Sequence, residues 1–211
     1  MAEKCKRWKN WILAGMLCGL VGCASTELEE RCFPLMVGIG YEDGEISYVL
    51  GFPRTGDSGE NTSSISEIYV PEVSEKDFQK SKTVYEGHLN KTVDYNHLKV
   101  IILEEDLLEQ VDAYNQVLKY LVKTEEFPRN TYVCAAEDIE DFMETEEKLP
   151  QELGTYLEEY INHHEAKKKH IVTLGDLLDE KENQKRALDI PYLDAEDAYI
   201  EWKGYYTIEI R

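Results

Sequence analysis

Val100-Ile101-Ile102-Leu103 is a continuous apolar run, entered through Asp94 to Lys99 and followed at once by Glu104, Glu105 and Asp106. Such a run, with no polar alternation, fits a strand buried on both faces. The flanking chain reads as the rest of a sheet with helices packed on it. Downstream, Leu107, Val111, Tyr114, Leu118 and Leu121 keep helical spacing, with Asp106 and Glu109 as an N-terminal cap. That helix ends before Phe127-Pro128, and Thr131 to Ala136 reads as the next strand. Upstream, Leu35, Val37, Ile39 and Tyr41 alternate with Met36, Gly38 and Gly40. Asp43-Gly44 follows, and then Ile46, Tyr48, Leu50 and Phe52 alternate again. Alternation on both sides of an Asp-Gly pair signals a hairpin.

Pro53 to Ser64 is rich in Gly, Ser, Asp, Asn and Pro and reads as an exposed loop. Ile65 to Val70 reads as a short strand stopped by Pro71. Ser74 to Asp77 resembles a capping box that opens a helix with Phe78, Tyr85 and Leu89 on one face. Further helices are expected near Ile139 to Met143, around Leu153, Leu157, Tyr160, Ile161 and His164, and behind the Thr173–Asp176 cap. Tyr199 to Arg211 is rich in Tyr, Trp and Ile, and Lys203-Gly204 reads as a turn between two strands. Strand–helix–strand–helix–strand with short loops favours parallel neighbours. The fold expected is α/β, with α+β as the alternative: a mixed sheet with an N-terminal hairpin and helices packed on it.

The N-terminus sets the compartment. Lys4, Lys6, Arg7 and Lys9 precede an apolar stretch from Trp11 to Gly22 that ends in Leu20-Val21-Gly22-Cys23. A basic start, a short apolar core and small residues at the end mark a secretory signal peptide. The stretch is too short to span a bilayer core, which takes about 20 apolar residues. Leu-x-Gly-Cys looks like the lipobox of bacterial lipoproteins, which implies acylation of Cys23 and cleavage before it. The chain then divides into a signal peptide (1–22), a lipidated tether (23–31) and a domain (32–211). Without residues 1–22, which carry four basic residues and one acidic one, 19 basic residues face 42 acidic ones, a net charge of −23. That balance argues against nucleic acid and against lying flat on anionic lipid. With Cys23 lipidated, Cys32 and Cys134 are left either to bridge outside the cytoplasm or to stay as two buried thiols. Both sit in apolar, strand-like stretches, which suits the second.

Several segments together resemble the Ger(x)C family, the germinant-receptor C subunit lipoproteins of spore germination. The lipobox leads into Glu27 to Arg31 and the Met36 to Gly40 strand. Tyr95 to Leu103 is similar to the family's His-Leu-Lys-Val strand, followed by acidic residues and an amphipathic helix. Glu125 to Ala136 looks like the segment where a turn enters a strand, and Leu174 to Tyr192 has a similar Leu and Pro pattern: a short helix, a loop and Ile190-Pro191. Ala24-Ser25 stand where the family usually has Trp-Asp. The resemblance reads 32–211 as the family's N-terminal domain, with the later domains absent. It implies a lipid-anchored protein on the extracytoplasmic face of the spore inner membrane, assembled with the membrane-embedded A and B subunits of a nutrient germinant receptor. His97 and Lys99, in its most specific segment, are the interface candidates. Apart from the resemblance, His97 fits a core histidine with a backbone partner, and Lys99 a snorkelling side chain or a partner for the acidic residues after the strand.

The residues themselves build no nucleophile with its base, so no catalytic activity and no cofactor are expected. His163, His164, Glu165 and His170 are the histidine cluster. Adjacent helical histidines point about 100° apart and Lys167 to Lys169 intervene, so no metal site is expected. Glu104, Glu105 and Asp106 sit together, one of them serving as a helix cap. The alternative function is a stand-alone surface lipoprotein that captures a small molecule; a surface enzyme built on His163 to His170 comes last.

Overall fold

The computed structural model describes residues 30–54, 73–89, 91–165, 172–182, 187–196 and 199–209. All but Glu30 and Arg31 fall in one compact unit, Cys32–Arg211. The strands of its main sheet are β1 (Met36–Glu42), β2 (Glu45–Gly51), β3 (Val73–Glu75), β4 (Val100–Glu104), β5 (Tyr132–Ala136), β6 (Ala187–Glu196) and β7 (Tyr199–Glu209). Its helices are α1 (Phe78–His88), α2 (Glu105–Glu109), α3 (Val111–Lys123), α4 (Ile139–Glu146), α5 (Leu153–Glu165) and α6 (Leu174–Glu182).

The seven strands form one sheet in the order β3-β2-β1-β4-β5-β6-β7. β1, β4, β5 and β6 run parallel, and antiparallel pairs close both sides: β2 with β1 and with β3, and β7 with β6. The fold is thus α/β with a mixed sheet. In the first hairpin, Glu42 faces Glu45 across Asp43 and Gly44, whose φ values of 51° and 90° are those of a type I′ turn.

The sheet is covered on both faces. Val37, Ile39, Ile101, Leu103, Val133 and Ala135 point to a layer containing α1, α3 and α6. Met36, Val100, Ile102, Cys134 and Ala136 point to α4 and α5. Successive strand residues face opposite ways, so a central strand between two helical layers must be apolar throughout. That is why Val100 to Leu103 carries no polar residue. Cys32 and Cys134 are both free and buried, so the two-thiol reading holds.

Some local expectations give way to tertiary pairing. Ser74 does not cap a helix: Val73–Glu75 pairs with Ile46–Tyr48 as the edge strand, and Asp77 caps α1 by accepting from Lys80 N at 3.0 Å. Asp106 does not cap one continuous helix. The helix breaks at Gln110, and neither piece has a side-chain cap. Of the loop expected between α6 and Ile190-Pro191, residues 187–189 belong to the ten-residue strand β6, and residues 183–186 lie outside the described residues. Pro191 lies outside its ladder to β5, which involves only Tyr192 and Leu193, so on that side the missing N–H breaks nothing. Lys203-Gly204 is not a turn. It lies inside β7 at a bulge, where the register shifts opposite Tyr192 and Leu193 and Gly204 takes φ 136°. The loop residues 55–64 and the strand expected over 65–70 lie outside the described residues.

Candidate functional site

β1, β4 and β5 end side by side, and their C-terminal ends open a cleft of about 420 Å³. In parallel α/β sheets this edge is where ligands generally bind. Glu42 and Glu104 come from the strands, Asp106 from α2, Glu137 from just beyond β5, and Asp138 and Glu140 from the start of α4. Among the described residues, six carboxylates therefore line it and no lysine, arginine or histidine does. Asp138 is committed to capping α4 through Glu140 N at 2.7 Å.

Glu104 holds the cleft together. Its carboxylate accepts from Tyr41 N at 3.1 Å and from Ile139 N at 3.3 Å, joining the end of β1 to the start of α4. Burial pushes its pKa above the ordinary glutamate value. The two N–H donors pull it down, and Asp138 and Asp106 push it up again. A side chain at position 40 would collide with this carboxylate, which is why Gly40 is a glycine. Among the described residues no group of His, Cys, Asp and Glu is placed to hold a metal ion. As built, the cleft is an acceptor-rich, negatively charged pocket.

The residues singled out in the sequence lie elsewhere. Cys23 is outside the described residues. His97 and Lys99 sit at the opposite, N-terminal end of β4. His97 is exposed, in contrast to the core reading: the 3-10 turn Tyr95–His97 points Tyr95 into the core and leaves the His97 ring edge-on to Phe33, centroids 5.0 Å apart. Lys99 is half-buried and pairs with Glu158 of α5 rather than with the acidic residues after the strand. Those lie about 16 Å or more away along an extended strand. Near His97, the carbonyl of Cys32 accepts from Asp94 N at 2.9 Å, and that of Leu35 accepts from Lys99 N at 2.9 Å.

His163 and His164 do not converge on a common point. His163 is exposed, and His164 stacks between Tyr160 and Trp202 with its Nδ1 2.9 Å from the Tyr160 carbonyl. His170 lies outside the described residues. Sequence reasoning assigned one of Glu104, Glu105 and Asp106 to a cap and missed the bridging role of Glu104. The available signal was its position: a carboxylate directly after the most deeply buried parallel strand.

No curated protein and no solved structure matches the chain. A family model, the spore germination protein N-terminal domain, matches residues 24–195. This span includes the parallel strands, the acidic cleft and the His97–Lys99 end of the sheet. The chain therefore belongs to the spore germination protein N-terminal domain family, and its role lies in spore germination.

Proposed function

We propose that this chain is the membrane-anchored lipoprotein subunit of a nutrient germinant receptor, held through Cys23 on the extracytoplasmic face of the spore inner membrane. It acts by binding the membrane-embedded A and B subunits and catalyses no reaction. The observation that carries this reading is a junction: the germination-family match opens at residue 24, directly behind Leu20-Val21-Gly22-Cys23. The tether from Cys23 to Cys32 spans nine residues, at most about 30 Å of extended chain. Cys32 lies beside His97 and Lys99, at the N-terminal end of the parallel strands. In this reading that end stays within reach of the membrane-embedded subunits, and exposed His97 and half-buried Lys99 form part of the contact.

Two readouts on spore membranes test it. The mature N-terminal peptide should begin at a lipid-modified Cys23, and Cys23→Ala should leave the chain unprocessed. The tagged chain, solubilised from membranes, should co-elute with both membrane-embedded subunits, and His97→Ala with Lys99→Ala should weaken that co-elution. An unmodified Cys23 thiol in the membrane-bound chain, or elution without either subunit, would contradict the proposal.

A further inference from the structure

Charge is divided unevenly between the two ends of the parallel strands. At their C-terminal ends, the cleft carries six carboxylates and, among the described residues, no lysine, arginine or histidine. Asp43 stands in the turn beside Glu42, and Glu45 faces Glu42 across it. In the last hairpin Leu193 is level with Ala136, the end of β5, so Asp194, Glu196 and Glu201 belong to the same end of the sheet. These three share one lysine, Lys203.

At the N-terminal ends the signs are mixed. Lys99 pairs with Glu158 and Arg129 with Asp179. Lys91, Asp94 and His97 gather around Cys32, whose Sγ lies 3.7 Å from the Thr92 carbonyl and whose own carbonyl accepts from Asp94 N at 2.9 Å. Cys32 is also the first residue of the compact unit, where the tether arrives. Nine residues of tether limit how far Cys32 strays from the lipid, at most about 30 Å. They do not decide which side of the domain is turned toward it. The charge does. The potential of an anionic surface repels carboxylates and fades within a Debye length, about 8 Å at physiological salt. β5 alone rises about 13 Å from Tyr132 to Ala136. With the N-terminal ends inward, the acidic end is carried more than one Debye length further out. Lying on a helical layer or on a sheet edge brings part of the acidic end back into that potential.

We propose that on an anionic bilayer the tethered domain stands with the N-terminal ends of its parallel strands toward the headgroups and its acidic cleft outward, oriented by repulsion of the cleft end. The proposal deepens the anchored-subunit reading, on which it rests, by naming the face that meets lipid.

Energy transfer from tryptophan to dansyl-labelled headgroups reads the orientation. The full chain with Cys5→Ser and Cys18→Ser is coupled through Cys23 to a maleimide lipid in nanodiscs, so its anchoring does not depend on processing in the spore. With Trp8→Phe and Trp11→Phe it emits from Trp202 alone, at the level of the C-terminal ends. A second version adds Trp202→Phe and Phe33→Trp and emits beside His97, at the N-terminal ends. In phosphatidylglycerol discs the Phe33→Trp version should transfer about twofold more than Trp202 or better, given the rise of the strands between the two sites. That ratio should fall in phosphatidylcholine discs and at about 1 M salt, where the Debye length is about 3 Å. It should also fall when exposed cleft charges are removed together by Glu42→Gln, Asp106→Asn, Glu137→Gln and Glu140→Gln. Native Trp202 by itself keeps the test decisive if a variant misfolds: its transfer should be lower in phosphatidylglycerol than in phosphatidylcholine and recover with salt. Equal transfer from the two sites in phosphatidylglycerol, or more from Trp202, would overturn the proposal. So would a ratio indifferent to lipid charge and salt, since the tether alone would then set the orientation. An unmodified Cys23 in spores would leave this orientation standing, and a domain that tumbles on the disc would leave the anchored-subunit reading standing.

Discussion

Replacing Lys82 by methionine keeps the length of the side chain and removes its charge. The Lys82 side chain is only 6 % exposed on α1, and its ammonium donates to Glu86 at 2.7 Å and to Glu126 at 2.9 Å. It also stands 5.0 Å from the Tyr95 ring centroid. The carboxylates extend the network. Tyr95 donates to Glu86 at 2.6 Å, Tyr120 donates to Glu126 at 2.8 Å, and the Tyr48 and Tyr95 hydroxyls share a hydrogen bond of 2.7 Å. Without the ammonium, two carboxylates face each other across one site with no cation between them. Removing one member of a fully buried ion pair costs about 3–5 kcal/mol. Glu86 and Glu126 are 28 % and 35 % exposed, so water relieves part of that, leaving about 2–3 kcal/mol. For a domain of this size each kcal/mol moves Tm by about 2–4 °C, so Lys82→Met should lower it by about 4–12 °C. Thermal unfolding followed by circular dichroism reads this directly. Adding Glu86→Gln and Glu126→Gln should recover most of the loss, since the stranded charges go with them. A loss below about 0.5 kcal/mol, the range of an ordinary surface substitution, would refute the reasoning.

Other perturbations follow from the same geometry. A Cβ at Gly154 would lie 2.6 Å from the Leu35 carbonyl oxygen and 2.7 Å from its carbon, both backbone atoms. Gly154→Ala should therefore cost about 1–2 kcal/mol by urea unfolding, overpacking outweighing the helix propensity gained, and a more stable variant would contradict this. Glu104 has its folded pKa raised, so its favourable contribution to stability is present below the ordinary glutamate value and is lost as pH rises through the folded one. The urea midpoint of Glu104→Gln should then gain on the native chain between about pH 4 and pH 7; a gap that narrows or reverses would count against it. Burial pushes the Cys32 thiol up to about 11 and raises Cys134 further. Neither should take up a maleimide in the folded chain, both should react in urea, and a Cys32–Cys134 bridge on a non-reducing peptide map would contradict the packing.

The legible parts of the fold were those in which one segment carries its whole instruction. Val100 to Leu103 announced a strand covered on both sides, and Asp43-Gly44 announced its hairpin. β6 could not be read this way. Leu188 and Ile190 face the layer containing α1, α3 and α6, whereas Leu193 and Ala195 face α4 and α5. The alternation itself is unbroken, even positions facing one layer and odd positions the other, but the apolar side changes face midway. No single apolar face therefore runs along the strand. The residue bulged out at that point, Lys203, belongs to β7. The same bulge made Lys203-Gly204 look like a turn, since glycine at positive φ serves both. Lys82 could not be foreseen as buried, because its partners Glu86 and Glu126 come from two different segments. The acidic cleft draws its carboxylates from three stretches far apart in the sequence, Glu42 of β1, Glu104 and Asp106 at the end of β4 and in α2, and Glu137 to Glu140 after β5. The spacing of Tyr160 and His164 was visible, but the stacking of His164 on Trp202 required the tertiary fold.

The central claim is that this chain works as an anchored subunit of a nutrient receptor in germination. The most direct measurement is nutrient-triggered germination of spores from three strains: intact, gene deleted, and Cys23→Ala. The account predicts that deletion and Cys23→Ala both abolish the response to at least one nutrient while the intact strain keeps it. Normal germination of the deleted strain with every nutrient tried, in a background with no intact paralogue, would contradict it.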